Sequence, residues 1–365
     1  MWADRRLTEL FKIEHPLVLA PMAGYATVEI AAAVCEAGGL GSIGCATASP
    51  EAAAMTIGDL RRLTRRPINV NFFCHVPAKA DAGREQAWRE HLAPYYRELG
   101  IAQEPLPRLD LTPFGDAMCA VVENAKPEVV SFHFGLPAAA LLARVKAAGC
   151  RVISSATTVE EAIWLEAHGA DAVIAQGTEA GGHRGTFLAG DLTRAMASQS
   201  GTLALVPQIV DAVRVPVIAA GGIADGRGIA AAFALGASGV QMGTAFLRCP
   251  EAGTSPMHRD ALKHVRDDQT LLTNVFTGRP ARVIASRFPL ELGPLSDAAP
   301  DFPLPMGELP PLRAKAEQQE RRDFSPLWAG QGAALATELP AGALVKKLAQ
   351  DAIGRFAQLG GGRPV

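Results

Sequence analysis

Eight short apolar stretches recur along the chain, several of them roughly twenty residues apart. That spacing leaves room for one strand, one helix and two loops, and a closed (β/α)8 barrel needs eight such units. The predicted strands are 17–20, 41–44, 68–73, 129–134, 152–156, 172–176, 217–220 and 239–242. The sequence therefore predicts an α/β protein built on a (β/α)8 TIM barrel.

The chain is longer than such a barrel requires. Its 365 residues exceed the ~250 of a typical barrel by roughly a hundred. Residues between the third and fourth strands include Trp88, Tyr95, Tyr96 and several prolines, and residues after 248 show weak periodicity. We predict that the barrel consists of residues 1–75, 118–255 and 325–360. A smaller domain that covers the substrate is predicted at 76–117 and 256–324.

Three helices have recognisable ends. Thr27 is a predicted N-cap for a helix at 27–38, which Gly38 ends. Thr158 is predicted to cap a helix at 158–169, with Glu161 three residues later as in a capping box. A third helix is predicted at 341–359, where Pro340 suits its start. We expect it to cover the barrel.

Composition excludes several function classes. The net charge of -2 and pI of about 6.5 argue against a nucleic-acid or membrane partner. The six cysteines form no CxxC pair, which argues against a zinc or iron–sulfur site and against a disulfide framework. The sequence contains neither the apolar region of a signal peptide nor an apolar run of ~20 residues. We expect a cytoplasmic protein without a metal, either a monomer or a homodimer.

The seventh and eighth predicted strands run into glycine-containing turns. Gly221 and Gly222 follow the seventh, while Gln241, Gly243 and Thr244 lie at the end of the eighth. In (β/α)8 barrels the loops after these strands form the common phosphate site, and glycine lets backbone N–H groups approach a phosphate. These turns predict a phosphorylated cofactor or substrate.

Polar side chains stand where other strands end. Asn71, His133 and Gln176 lie within apolar strands, where a polar group is costly unless it is paired. Carboxamides there suit a flat heterocycle, because each has a donor and an acceptor end. His133 has the alternative of a core histidine paired to the backbone. His183 lies among glycines with Arg184 beside it, and an imidazole with an ordinary pKa can take a proton near neutrality. Its alternative is a surface loop histidine.

These residues fall in motifs that resemble the nitronate monooxygenase family, formerly the 2-nitropropane dioxygenases. The matching segments are APMAG at 20–24, GGLG at 38–41, NFF at 71–73, SFHFG at 131–135, EAGGHRG at 179–185, AGGI at 220–223 and QMGT at 241–244. The 179–185 segment is the most specific. WAGQ at 328–331 resembles a late motif of the bacterial class I branch. Many relatives have a Ser/Thr-Thr-Pro stretch after the first motif, where this chain has Tyr25-Ala26-Thr27.

The resemblance implies an FMN enzyme and gives each residue an expected role. The FMN contacts would be Met22, Asn71, Gln176, Gly181, Gly221, Gly222, Gln241, Gly243 and Thr244. Of these, Gln241, Gly243 and Thr244 would hold the phosphate end, and Gln176 would approach the isoalloxazine. His183 would be the catalytic base. His133 and Tyr25 would line the substrate pocket.

The reaction that the resemblance implies is the oxidation of alkyl nitronates by O2, through a flavosemiquinone, to a carbonyl compound and nitrite. Propionate 3-nitronate, a small toxic nitronate, is the implied substrate class, so the expected role is detoxification. The anion would lie close to His183 and Arg184, and the second domain would set substrate size. The alternatives are an FMN-dependent NAD(P)H oxidoreductase (a quinone or enoyl-acyl-carrier-protein reductase), a metal-free phosphosugar isomerase or aldolase, and a flavin-binding protein without turnover.

Overall fold

The computed structural model describes residues 1–79, 81–104, 106, 109 and 111–360. Its strands are β1 Leu17–Leu19, β2 Gly41–Gly44, β3 Ile68–Phe73, β4 Val129–His133, β5 Arg151–Ala156, β6 Ala172–Gln176, β7 Gly182–His183, β8 Val217–Ala220, β9 Gly239–Met242, β10 Thr270–Thr273 and β11 Ala281–Ile284. Its helices are α1 Arg6–Phe11, α2 Val28–Glu36, α3 Pro50–Leu63, α4 Ala82–Glu98, α5 Asp116–Ala125, α6 Ala139–Ala147, α7 Val159–Ala167, α8 Leu192–Ala195, α9 Thr202–Ala212, α10 Gly226–Ala234, α11 Pro256–His264, α12 Arg287–Leu292, α13 Pro305–Glu308, α14 Pro310–Gln318 and α15 Ala341–Leu359. Short 3-10 turns occur at Met196–Ser198, Thr244–Phe246 and Ala333–Leu335.

Eight parallel strands form the barrel, in the order β1-β9-β8-β6-β5-β4-β3-β2. The residue before β2 joins it to β1: the Leu40 N–H donates to the Leu17 carbonyl at 2.9 Å, and the Leu19 N–H donates to the Leu40 carbonyl at 3.0 Å. All eight predicted barrel strands are present, each shifted by no more than one residue at either end. The prediction of a (β/α)8 barrel is confirmed.

The first helix closes the end of the barrel where the strands begin. Leu7 and Phe11 of α1 are buried in one cluster with Val18, Val129 and Ile153. Gly239, which starts β9, allows this contact, since a Cβ there would lie 2.4 Å from the Leu7 side chain. The barrel therefore offers ligands only its other end, where the strands finish.

The last helix completes the outer ring. Helix α15 packs against α10 and α2, so it occupies the place of the eighth barrel helix although residues 243–340 separate it from β9. The Thr27 and Thr158 caps are confirmed, with side-chain oxygens that accept from backbone N–H groups at 3.2 and 3.1 Å. The predicted capping box does not form, because the Glu161 carboxylate accepts hydrogen bonds from the N–H and hydroxyl of Thr157 instead.

The chain between 176 and 217 and the chain after β9 contain elements that the sequence analysis does not predict. The first holds β7, α8 and α9 rather than only a loop. The second holds a β10–β11 hairpin whose strand β11 also pairs with β7, antiparallel in both cases. A two-residue strand such as β7 is too short to leave a period in the sequence. This small sheet fixes the glycine-rich loop after β6 against the second part of the chain, by which we mean the residues between β9 and α15.

A second hydrophobic cluster lies outside the barrel. Trp88 and Tyr96 of α4 are buried in it with Phe276, Phe288 and Phe324. It therefore joins the two stretches that the sequence analysis assigns to one smaller domain, whose exact boundaries stay a prediction. None of the helices in the described ranges is both long and apolar enough to cross a bilayer.

Candidate active site

A cavity of about 480 Å³ opens at the ends of the barrel strands. Residues from the barrel loops, from β7 and from the second part of the chain line it together. All twelve residues singled out in the sequence lie on its wall: Met22, Tyr25, Asn71, His133, Gln176, Gly181, His183, Gly221, Gly222, Gln241, Gly243 and Thr244. The fold therefore brings them to one place, and their individual roles stay predictions.

One end of the cavity is lined by glycine and free backbone N–H groups. Gly221 and Gly222 have φ angles of 118° and 70°, in the region that favours glycine. Within the described ranges, the N–H groups of Gly222 and Thr244 have no hydrogen-bond acceptor. The Gln241 carboxamide oxygen is buried and also has no partner there. Such a set of unpaired groups fits a ligand that supplies both acceptors and donors.

The segment 328–331 forms another wall. The Gly330 N–H donates to the Thr244 hydroxyl at 2.9 Å. A Cβ on Gly181 would lie 2.6 Å from the Gly330 nitrogen, so glycine is required for this close approach. Trp328 lies 5.4 Å from His183 between ring centroids. The segment 328–331 thus joins the side of the cavity that contains Thr244 to the side that contains Gly181 and His183.

His183 is held by a residue that lies 94 positions later in the sequence. Its Nε2 is 2.9 Å from the Thr277 hydroxyl oxygen. That hydroxyl donates to the Arg279 carbonyl at 3.2 Å, so the hydrogen-bond network assigns the proton of His183 to Nε2. Nδ1 then carries the lone pair, and the structure records no hydrogen bond to it from any described residue. This arrangement leaves one imidazole nitrogen able to accept a proton from a ligand.

His133 and Gln176 support the backbone of His183. The Nε2–H of His133 donates to the His183 carbonyl at 3.2 Å, and Nδ1 of His133 lies 3.0 Å from the Ser155 hydroxyl. The Gln176 side chain donates to the same carbonyl at 2.9 Å and accepts from the Gly185 N–H at 2.8 Å. Both nitrogens of His133 and both ends of the Gln176 carboxamide are engaged. These two side chains therefore position His183.

The pKa of His183 departs from the ordinary value that the sequence analysis expects. Burial, followed by the charges of His133 and Arg279, lowers the pKa of His183 to about 3. Three of the aromatic rings around it, those of Phe73, Phe134 and Phe302, have centroids within 6.2 Å of the imidazole. The expectation of a near-neutral pKa is wrong for the ligand-free site, because these rings keep water from the charged form. A bound anion would raise the pKa of His183 again.

The low pKa predicts a flat pH profile. Burial lowers the pKa of His183 to about 3 in the ligand-free site. If His183 is the base, a change of pH through ~6.5, the ordinary pKa of an imidazole, therefore leaves it unprotonated. With a neutral nitroalkane as substrate, kcat/KM should stay constant within about twofold between roughly pH 5.5 and 7.5, because kcat/KM reports groups of the free enzyme. Initial rates of nitrite release measure it. A fall of log kcat/KM below pH 6.5 with a slope of one would contradict a neutral, half-buried His183.

The charged residues of the 179–185 segment do not line the cavity. The Glu179 carboxylate accepts from the N–H and hydroxyl of Thr202 at the start of α9. The Arg184 guanidinium is buried and donates to the Gln176 carbonyl at 2.7 Å and to the Gln199 side chain. The expectation that Arg184 lies beside a bound anion is therefore wrong, since its donors hold the loop together.

Several residues on or near the cavity escape prediction from the sequence. Thr277, Phe302 and Met306 line it from the second part of the chain, in a region without clear periodicity. Trp328 lies in the 328–331 segment, which resembles a family motif, but the resemblance assigns no role to Trp328. For Thr277 there is no local signal, because its contact with His183 depends on the pairing of β7 with β11.

Cysteine and metal chemistry find no support in the site. In the part of the chain that the structure describes, no group of three or more His, Cys, Asp and Glu residues is placed to hold a metal ion. All six cysteines are free and five are buried. Burial raises the pKa of the Cys45 thiol to about 12, as for a small core residue.

Similarity to known proteins agrees with this geometry. The family model described as nitronate monooxygenase matches residues 4–351. A nitronate monooxygenase of Pseudomonas aeruginosa is 45% identical over 350 residues, which cover 95% of this chain and 98% of that protein. One from Paraburkholderia phytofirmans is 44% identical over 351 residues, covering 95% of this chain and 94% of that protein.

Two solved structures are also similar. A nitroalkane oxidase from Streptomyces ansochromogenes is 40% identical with a TM-score of 0.88, covering 97% of this chain and 99% of that one. FabK from Thermotoga maritima is 29% identical with a TM-score of 0.74, covering 99% of each chain. Because the family model and the curated relatives span nearly its whole length, this chain is an enzyme that belongs to the nitronate monooxygenase family.

Proposed function

We propose that this enzyme oxidises alkyl nitronates with O2 to carbonyl compounds and nitrite, with FMN held in the cavity. The atoms balance when two nitronates and one O2 give two carbonyl compounds and two nitrite ions. The observation that carries the proposal is the position of His183, with an unpaired Nδ1, in a cavity whose other end is lined by glycine and free N–H groups.

The ligand groups on the wall fit FMN. Free N–H groups at Gly222 and Thr244 suit the phosphate, as at other barrel phosphate sites. The unpartnered Gln241 carboxamide oxygen suits a donor on the ligand, and Met22 and Asn71 also line the cavity. When bound, the flavin would supply the redox chemistry between the substrate and O2.

The chain itself supplies the proton acceptor and its surroundings. In the proposed reaction of a neutral nitroalkane, Nδ1 of His183 removes the α-proton, while Thr277 keeps the proton on Nε2. His133 and Gln176 hold the His183 carbonyl and so fix the direction of the ring. A preformed nitronate needs no such step and requires only binding.

Anaerobic stopped-flow mixing tests the proposal. The purified protein should be yellow, and mixing it with a nitronate should change the flavin spectrum within seconds, while NADH leaves it unchanged. Exposure to O2 should then release nitrite. The similarity to FabK makes the flavin reductase alternative specific: bleaching by NADH with no response to a nitronate would assign the chain to that activity instead.

A further inference from the structure

Three buried arginines lie one layer behind the cavity. Among the described residues, no Lys or Arg side chain lines the cavity itself. Arg184, Arg279 and Arg282 are 1%, 9% and 6% exposed, and they lie next to or within the paired strands β7 and β11. Arg184 donates to three acceptors and Arg282 to two, but Arg279 donates to only one in the described ranges. Arg279 is therefore the arginine whose charge is least engaged by other groups.

Arg279 lies behind the Phe134 ring as seen from the proposed base. Its guanidinium carbon is 4.0 Å from the centre of that ring, and the ring centroid is 5.9 Å from that of the His183 imidazole. The guanidinium is therefore no more than about 10 Å from the imidazole. Phe134 is buried, so an apolar ring rather than water occupies the space between the two groups.

The backbone of Phe134 has a conformation that phenylalanine disfavours. Its φ of 69° lies in the left-handed region, which costs a bulky residue free energy unless the surrounding structure holds it there. Such strain is concentrated at functional sites. The cation above the ring is one of the contacts that hold it, because cation–π attraction is stronger where water is excluded. The fold therefore maintains the order Arg279, Phe134, His183 against a local cost.

No carboxylate that contacts Arg279 neutralises its charge. Within the described ranges it forms no ion pair, and its acceptor is the Thr186 carbonyl at 2.9 Å. Burial lowers the pKa of Arg279 to about 10, an effect that the Glu161 carboxylate offsets in part. The guanidinium therefore stays charged at neutral pH. The Glu161 carboxylate itself accepts from the N–H groups of Thr157 and Phe187. A positive potential consequently extends from Arg279 toward the cavity.

We propose that Arg279 holds a nitronate at His183 through the attraction of its buried positive charge for the anion, acting across Phe134. This inference rests on the proposed function. A positive charge ~10 Å away, in surroundings with an effective dielectric constant of ~20, favours a monoanion over a neutral ligand by roughly 10-fold. Arg279 does not line the cavity, so it is a positioning residue.

The same charge opposes protonation of His183. After burial and the charge of His133, the charge of Arg279 is a further cause that lowers the pKa of His183. In the reaction of a neutral nitroalkane, the α-proton moves from carbon to Nδ1 of His183. Arg279 then attracts the nitronate that forms and repels the imidazolium, and the two effects oppose each other. Arg279 should therefore favour a preformed nitronate over the neutral nitroalkane.

Three substitutions separate the charge of Arg279 from its structural contacts. Arg279→Gln removes the charge but keeps a donor for the Thr186 carbonyl, and Arg279→Lys keeps the charge. Arg65→Gln makes the same change of net charge at an exposed position before β3, at the end of the barrel where the strands begin. Any effect of net charge alone would appear equally in the Arg65→Gln variant.

Anaerobic calorimetric titration with nitrate and nitromethane measures the binding of an anion and of a neutral ligand of nearly equal size. The nitrate Kd should rise roughly 10-fold in Arg279→Gln and change by less than threefold in Arg279→Lys and Arg65→Gln. The nitromethane Kd should stay within threefold in every variant. A loss of structure would weaken both ligands together, so the difference between them reports the charge.

Steady-state kinetics provide a second readout. For ethyl nitronate, KM should rise roughly 10-fold in Arg279→Gln without a fall in kcat, because the negative charge is present before the reaction begins. For nitroethane, kcat/KM should change by less than threefold. Arg279→Lys should restore the KM for ethyl nitronate to within threefold of that of the unmodified enzyme.

The outcomes separate the inference from the proposed function. If Arg279→Gln does not fold, as its melting temperature would show, Arg279→Met takes its place with the same expectations. Unchanged nitrate binding in a folded neutral variant, equal weakening of nitrate and nitromethane, or no nitrate binding by the unmodified enzyme would overturn the inference and leave nitronate oxidation standing. No turnover of ethyl nitronate by the unmodified enzyme would overturn the proposed function. A nitrate Kd that rises in Arg279→Gln but not in Arg279→Lys would still support the anion site in that case.

Discussion

The His183→Asn variant is expected to lose turnover of neutral nitroalkanes by roughly 10²–10⁴-fold, the usual contribution of a general base. Asparagine has no nitrogen lone pair that can accept the α-proton. Preformed nitronates have already lost that proton, so their turnover should fall by less than about tenfold. Nitrite release from the two forms of one compound, such as nitroethane and ethyl nitronate, measures both effects with the same enzyme preparation.

The control for this variant is His91→Asn. His91 is exposed on α4, and its imidazole forms a hydrogen bond with the Ala87 carbonyl one turn earlier, so both activities should match those of the unmodified enzyme. Flavin content and melting temperature should be compared for both variants. Equal turnover of the neutral nitroalkane by His183→Asn would remove His183 from the role of base and leave it as part of the cavity wall.

The Gly221→Ala variant should weaken FMN binding by roughly 100-fold. A Cβ at this position would lie 2.8 Å from the Thr202 hydroxyl and 3.1 Å from the Gly177 carbonyl, and a φ of 118° is strained for any other residue. The turn must shift to accommodate alanine, and the shift moves the free N–H of Gly222 away from the proposed phosphate position. A combined cost of about 3 kcal/mol corresponds to that change in affinity. Quenching of FMN fluorescence by the apoprotein measures it.

Gly149→Ala is the matched control for backbone strain. Gly149 has a φ of 92°, and a Cβ there would meet nothing within 4 Å. This variant should lose stability, because alanine disfavours positive φ by about 1–2 kcal/mol, yet bind FMN with unchanged affinity. If both variants lower the melting temperature equally and neither changes the FMN dissociation constant, Gly221 does not belong to the phosphate site.

The barrel could be predicted from the sequence because its signals are local. Each strand is a short apolar run with turn residues on either side, and Thr27 and Thr158 mark helix starts with side chains that bind the adjacent N–H groups. The order of parallel strands then follows from the fold. Because active sites of such barrels lie where the strands end, the positions of Asn71 and Gln176 could also be predicted.

What the sequence analysis misses depends on contacts between distant segments. The pairing of β7 with β11 brings Thr277 to His183, and no pattern near either residue indicates it. The chemical character of Arg184 suggests an anion site, but its partners, the Gln176 carbonyl and the Gln199 side chain, are known only once the loop is folded. The pKa of His183 is likewise set by aromatic rings that come from four separate segments.

The position of α15 has a consequence for how this protein is made. The helix that closes the ring between α10 and α2 is also the last element of the described chain to leave the ribosome. Until residues 341–359 have emerged, the apolar faces that Leu344, Val345 and Leu348 cover remain exposed to water. The barrel therefore stays incomplete, with these apolar faces uncovered, while residues 243–340 are synthesised, and exposed apolar surface of this kind favours aggregation of a nascent chain.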